Sequence, residues 1–163
     1  MLFRSCEAAG YVEGIALAGN YAYVAAWFGG LKIVNITSPQ APYVVGSAAP
    51  VYYSWDVDVW NSYALVADSD AGIFVFDVSD PANPVPVTSL PMQSNAQGIC
   101  VSGNYAYVSD GGWGLKILKL YSSGIPEKVG ICDTPGWAYE AAVSGNTICI
   151  ADGNTGLQVI MLR

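Results

Sequence analysis

"GNYAYVA" at residues 19–25 returns as "NSYALVA" at 61–67, "GNYAYVS" at 103–109 and "GNTICIA" at 145–151. Each step (19 to 61, 61 to 103, 103 to 145) is 42 residues. Two more markers keep that step. Gly30, Gly72, Gly114 and Gly156 each precede a branched apolar residue, and a proline recurs at Pro42, Pro84 and Pro126. Three markers in one register with no gap define an internal repeat, the feature to settle before any other.

Within a unit every periodic run reads as strand. The first run (14–18, 56–60, 98–102, 140–144) alternates small with branched residues and ends in a Gly-Asn or Asn-Ser pair, the composition of a tight hairpin. The second is the Tyr-Ala-Tyr-Val type. The third, "LKIVNI", "IFVFDV", "LKILKL" and "LQVIML", is apolar at nearly every position and should be covered on both faces. A proline turn then leads to "YVVGSA", "VPVTSL" and "EKVGIC", where Pro86 suits an edge strand. No apolar pattern holds a helical period.

Four antiparallel strands in ~40–45 residues is the size of a propeller blade. The predicted fold is therefore an all-β propeller in one domain, 1–163, with repeats 7–48, 49–90, 91–132, and 133–163 plus 1–6. Residues 1–6 align with the fourth strands at 43–48, 85–90 and 127–132, so the N-terminal strand is expected to complete the last blade beside 157–162. Two rings satisfy that latch: a four-bladed monomer, or an eight-bladed homodimer in which each N-terminal strand completes the partner's last blade. The apolar content favours the homodimer, because half a ring would expose whole blade faces.

"GNYAYVA" followed by "GLKIVNITSPQAP", and "GIFVFDVSDPANPVPV" in the next unit, resemble the LVIVD repeat, a bacterial β-propeller repeat. The resemblance spans essentially the whole chain and implies the propeller fold. It carries no catalytic residue with it. Asn61–Ser62 in place of Gly-Asn, and "KLYSSGIP" in place of the "DVSDPANP" turn, depart from the pattern.

Composition narrows the function. The 163 residues carry 6 basic and 13 acidic groups, a net charge of −7, so nucleic acid is not an expected partner. The absence of histidine removes His-based triads and His-bearing zinc sites. No run approaches the ~20 apolar residues of a membrane helix, so no membrane partner is expected. The opening residues lack a secretory core, which favours a cytoplasmic setting as written; a processed or truncated N-terminus would make a secreted setting the expectation instead. Cys6, Cys100, Cys132 and Cys149 form no C-x-x-C pair and read as small buried hydrophobes. No cofactor or metal is expected; "DSDAG" at 68–72 only faintly resembles a calcium loop.

The loops joining fourth to first strands and second to third strands should share one rim. They hold most of the acids, four of the five tryptophans, and no lysine or arginine. The expected ligand-binding residues are Tyr53, Trp55, Asp56, Asp110, Trp113, Trp137, Tyr139 and Glu140, with "VYYSWD" (51–56) and "PGWAYE" (135–140) as the best cluster. Rings beside carboxylates suit a glycan or a cationic peptide. Inter-blade packing explains the rings equally, and Asp68, Asp110 and Asp152 before glycine or serine read as caps of their own loops. The expected function is thus a non-enzymatic binding module. The alternatives are a glycoside hydrolase or lyase working through Asp56, Asp58 and Glu140, and a purely structural oligomeric scaffold.

Overall fold

The computed structural model describes residues 5–8, 10–49 and 52–162. Among these residues, fifteen strands form four antiparallel sheets, one per repeat. Blade 1 holds β1 (Gly14–Ala18), β2 (Tyr21–Ala25), β3 (Leu31–Asn35) and β4 (Tyr43–Ala48); blade 2 holds β5 (Asp56–Trp60), β6 (Tyr63–Asp68), β7 (Gly72–Asp77) and β8 (Val85–Leu90). Blade 3 holds β9 (Gly98–Ser102), β10 (Tyr105–Ser109), β11 (Leu115–Lys119) and β12 (Glu127–Cys132). Blade 4 holds β13 (Glu140–Ser144), β14 (Thr147–Ala151) and β15 (Leu157–Met161). The fold is the all-β propeller architecture of four repeats that the 42-residue period predicts. The expected strand at 1–6 falls largely outside the described residues.

Each blade is a meander, and its backbone explains the repeated glycines. The first hairpin turns through a left-handed residue at Gly19, Asn61, Gly103 and Gly145, with φ between 53° and 60°. Asn61 is the non-glycine residue that tolerates this conformation best, which accounts for that departure from the pattern. At Gly72 and Gly114 φ is positive and a Cβ would also strike the carbonyl oxygen of Leu90 or Cys132 in the outer strand. Only glycine meets both demands. Pro86 sits in the outermost strand of blade 2, where its missing N–H costs little.

Neighbouring blades lie face to face, with inner strands β1, β5, β9 and β13 side by side in that order. Three equivalent apolar layers result. Leu31 and Ile33 share a cluster with Val57 and Val66; Ile73 and Val75 with Ile99 and Val108; Leu115 with Ala141 and Ile150. In blades 1 to 3 the third-strand run is therefore largely covered on both sides, as its composition requires, while β15 of blade 4 keeps Leu157, Val159 and Met161 exposed. The rim is stitched by short bridges, Trp27 to Ser54, Ser69 to Ala96 and Gly111 to Ala138, which tie each second-to-third loop to the fourth-to-first loop of the next blade.

The outer strands also touch the following blade. A Cβ at Gly46 would overlap the Pro81 carbonyl oxygen in the turn of blade 2, whereas one at its repeat equivalent, Gly130, meets only the Ile117 side chain. Gly46→Ala should therefore destabilise the protein by about 1–3 kcal/mol and Gly130→Ala markedly less, as measured by urea unfolding.

Candidate functional site

An innermost strand has a sheet partner on one side only, so alternate amides on its free edge need an acceptor. Two aspartates on β5 supply it for two blades at once. Asp56 Oδ1 accepts Val57 N at 2.8 Å and Oδ2 accepts Ile99 N of β9 at 2.8 Å. Asp58 does the same one step along, with Val59 N at 2.7 Å and Val101 N at 2.7 Å. Glu140, at the position of Asp56 in blade 4, accepts Ala141 N at 3.2 Å through Oε1. Gly14 and Gly98 alternate with these acids in the same register, and a Cβ at Gly14 would collide with Asp56. Glycine on one inner strand thus makes room for the carboxylate of the next.

The acids gather around Cys100. Burial pushes Asp56 up to about 6, against the stabilising bonds from Ile99 and Val57, and the charge of Asp58 adds to the rise. Burial and then the charge of Asp56 push Glu140 up to about 7, although its side chain still reaches solvent. Burial, followed by the charges of Asp58, Glu140 and Asp56, raises the Cys100 thiol to about 12, so it stays protonated and unreactive. All four cysteines are free.

On the rim, Asp68, Asp110 and Asp152 are buried and cap the loop that enters their own blade. Asp68 accepts Tyr52 N at 3.2 Å; Asp110 accepts Ser94 N at 3.0 Å and Gln93 N at 3.1 Å. Asp152 accepts Gly136 N at 2.9 Å and the Thr134 and Thr155 hydroxyls at 2.5 Å. Burial opposes its charge, yet the bonds from Thr134, Thr155, Gly136 and Gln158 together hold the Asp152 carboxyl below the usual range. Asp110, expected as a ligand contact, therefore has no open surface. The rim also contains a cation that the sequence reading placed outside it. Lys116 of β11 is wholly buried; its ammonium lies 3.8 Å from Asp110 Oδ2, donates to the Trp113 carbonyl and sits 6.0 Å from the Trp113 ring. Its long stem carries the charge back to the rim, where only a carboxylate makes burial tolerable.

Among the described residues, the rim aromatic side chains form two groups rather than the single cluster expected of 51–56 and 135–140. Between blades 1 and 2, Trp27 is ringed by Tyr11, Phe28, Tyr53 and Trp55 at centroid distances of 5.5, 4.5, 5.3 and 6.4 Å. The Trp27 and Trp55 indole nitrogens are shielded from solvent, so these rings chiefly fill the junction. Between blades 3 and 4, Trp137 lies against Gly111 and Gly112, while Trp113, Trp137 and Tyr139 keep exposed ring surface. The junction of blades 2 and 3 lies between the two groups, because each ring leans on the loop of a neighbouring blade.

The family model described as the LVIVD repeat matches residues 9–49, 53–90, 93–134 and 135–160. The chain is an LVIVD-repeat protein. No curated protein matches it. Among solved structures it is similar to the computationally designed Ika4 protein, with a TM-score of 0.76 and 13% identity over 100% of both chains. It is also similar to the computationally designed Ika8 protein, with a TM-score of 0.72 and 12% identity over 93% of this chain and 46% of that one. These likenesses are of fold alone.

In this LVIVD-repeat protein the carboxylate straps are what sequence reasoning missed, although Gly14, Asp56, Gly98 and Glu140 recurring at one register signalled them. Lys116 had a signal too, a charge inside an apolar third strand. Two outcomes are expected. Asp110→Ala strands the Lys116 ammonium in the interior and should cost about 3–5 kcal/mol in urea unfolding. Asp56 and Glu140 keep their protons in the folded chain where the unfolded chain has lost them. Their contribution to stability is therefore full below the ordinary carboxylate range and lost as pH rises through about 6 and about 7. Carboxyl NMR titration should show both midpoints, and Glu140→Gln should gain stability relative to the parent as pH increases through that window.

Proposed function

We propose that this chain is a non-enzymatic binding module, working as a homodimer, whose acidic and aromatic rim receives a neutral glycan. The exposed rings of Trp113, Trp137 and Tyr139, gathered on one rim, carry this reading. An open indole or phenol face covers the C–H face of a sugar. Tyr53, Trp55 and Asp56 act behind this surface as supports, through their ring contacts and amide bonds.

The straps argue against hydrolysis. Asp56 and Asp58 each commit both oxygens to backbone amides, which leaves neither free to serve as the acid or base that a glycosidase pair requires. A cationic peptide is the second reading, favoured by the net charge of −7. Cation–π contact with the same rings would add ~0.5–2 kcal/mol per ring.

Intrinsic tryptophan fluorescence, titrated with neutral oligosaccharides and with Lys/Arg-rich peptides, tests both. A saturable response to an oligosaccharide, insensitive to added salt and weakened about tenfold or more in Trp113→Ala, is the expected result. A response confined to peptides and lost with salt selects the cationic reading. No response to either class from the folded protein overturns both.

A further inference from the structure

The two ends of the described chain carry the two halves of a contact that its middle makes three times. In each internal junction the third strand of one blade and the first strand of the next contribute apolar residues to one cluster: Leu31 and Ile33 with Val57 and Val59, Ile73 and Val75 with Ile99 and Val101, Leu115 and Ile117 with Ala141 and Val143. The repeat equivalents at the ends face solvent. On β15, Leu157 is 66% and Val159 62% exposed; on β1, Ile15 is 62% and Leu17 70% exposed. Both faces being open in one chain, they do not cover each other there.

A second seat is already occupied. Ala48, Leu90 and Cys132, at the ends of the fourth strands, each pack into the layer formed with the following blade. Cys6 is their equivalent, and with Ala8 it packs on Ala22, Val24 and Val34 of blade 1. The N-terminal segment thus lies where the outer edge of a preceding blade belongs, with none of the three inner strands of such a blade beside it among the described residues. Blade 4 has those three inner strands, and β15 has an open edge among the described residues.

We propose that two copies of this chain close one ring, β13–β15 of each entering between the N-terminal segment and the exposed face of β1 of the other, with Glu140 accepting the amide of the partner's Ile15. This rests on the homodimer reading above and specifies its seam. Leu157 and Val159 then cover the partner's Ile15 and Leu17 in the geometry of the internal layers. Glu140 repeats the strap of Asp56, whose second oxygen takes Ile99 N, the repeat equivalent of Ile15 N. Glu140 Oε1 holds Ala141 N, and its other oxygen has no donor among the described residues. A head-to-tail contact makes rings or filaments; two copies give eight blades, at the upper end of the ~4–8 blades typical of propellers, while three give twelve. The rim of Trp137, Tyr139 and Glu140 would continue across this seam onto the partner's Tyr11 and Glu13.

Light scattering of the full chain should report twice 17.1 kDa, about 34 kDa. A mass near 17 kDa overturns both the seam and the homodimer reading, and a ladder of higher masses overturns the closed pair. Leu157→Glu and Leu17→Glu replace side chains exposed in the single chain, so each should give a folded species near 17 kDa, with strand content checked by circular dichroism. Retention of about 34 kDa in both overturns this seam and leaves a homodimer formed elsewhere. Glu140→Ala should weaken the dimer about tenfold or more on dilution, and Glu140→Gln, which keeps an acceptor oxygen, should restore most of it. A dilution curve unchanged in Glu140→Ala overturns the strap.

Discussion

The structure depends on one constraint: a meander of four short strands has two apolar faces and cannot cover either by itself. Leu31, Ile73 and Leu115 lose all or nearly all their surface only because the next blade stands against them. Burying a side chain of that size is worth roughly 1.5–3 kcal/mol, and each layer combines several from both blades. The turns, the rim bridges and the left-handed glycines serve to hold the blades at the spacing this contact needs.

The same constraint generates the acidic interior. Stacking the faces leaves the innermost edges unpaired, since no further strand fits at the crowded centre. Their amides are satisfied by side chains reaching sideways, and Asp56 and Asp58 do this for β5 and β9 together. A short carboxylate suits the task because its two oxygens point at two strands. Burial of these groups, and then the charge of the neighbouring acids, raises their affinity for protons, which is the origin of the midpoints near 6 and 7 at Asp56 and Glu140. Charge along the inner strands is thus a product of architecture before it is a matter of ligands. The rim obeys similar logic, with Asp68, Asp110 and Asp152 spent on loop amides and the exposed rings of blades 3 and 4 left as its free surface.

The repeat was fully legible in the sequence because propeller blades contact mainly their neighbours, so the pattern of one blade recurs undisturbed in the next. Hairpin glycines, the apolar third strand and the buried rim aspartates all follow from local chemistry and appear where the 42-residue register puts them. The candidate site was legible only in part. Tyr53 and Trp55 share a composition with Trp137 and Tyr139, yet the first pair is packed into a junction and the second keeps open surface. Nothing in the letters distinguishes them, because the difference lies in what the neighbouring blade presents: Trp27 and Phe28 in one case, Gly111 and Gly112 in the other.

By itself the sequence determined the repeat length, the strand order within a blade and the turn chemistry, all set by residues a few positions apart. Only the tertiary structure decided which acids became straps, where the Lys116 ammonium found its carboxylate, and which apolar faces remained uncovered at the two ends. Those outcomes join residues about forty positions apart, or a side chain several bonds from its own backbone. The angle between stacked sheets fixes them, and a one-dimensional pattern does not contain that angle.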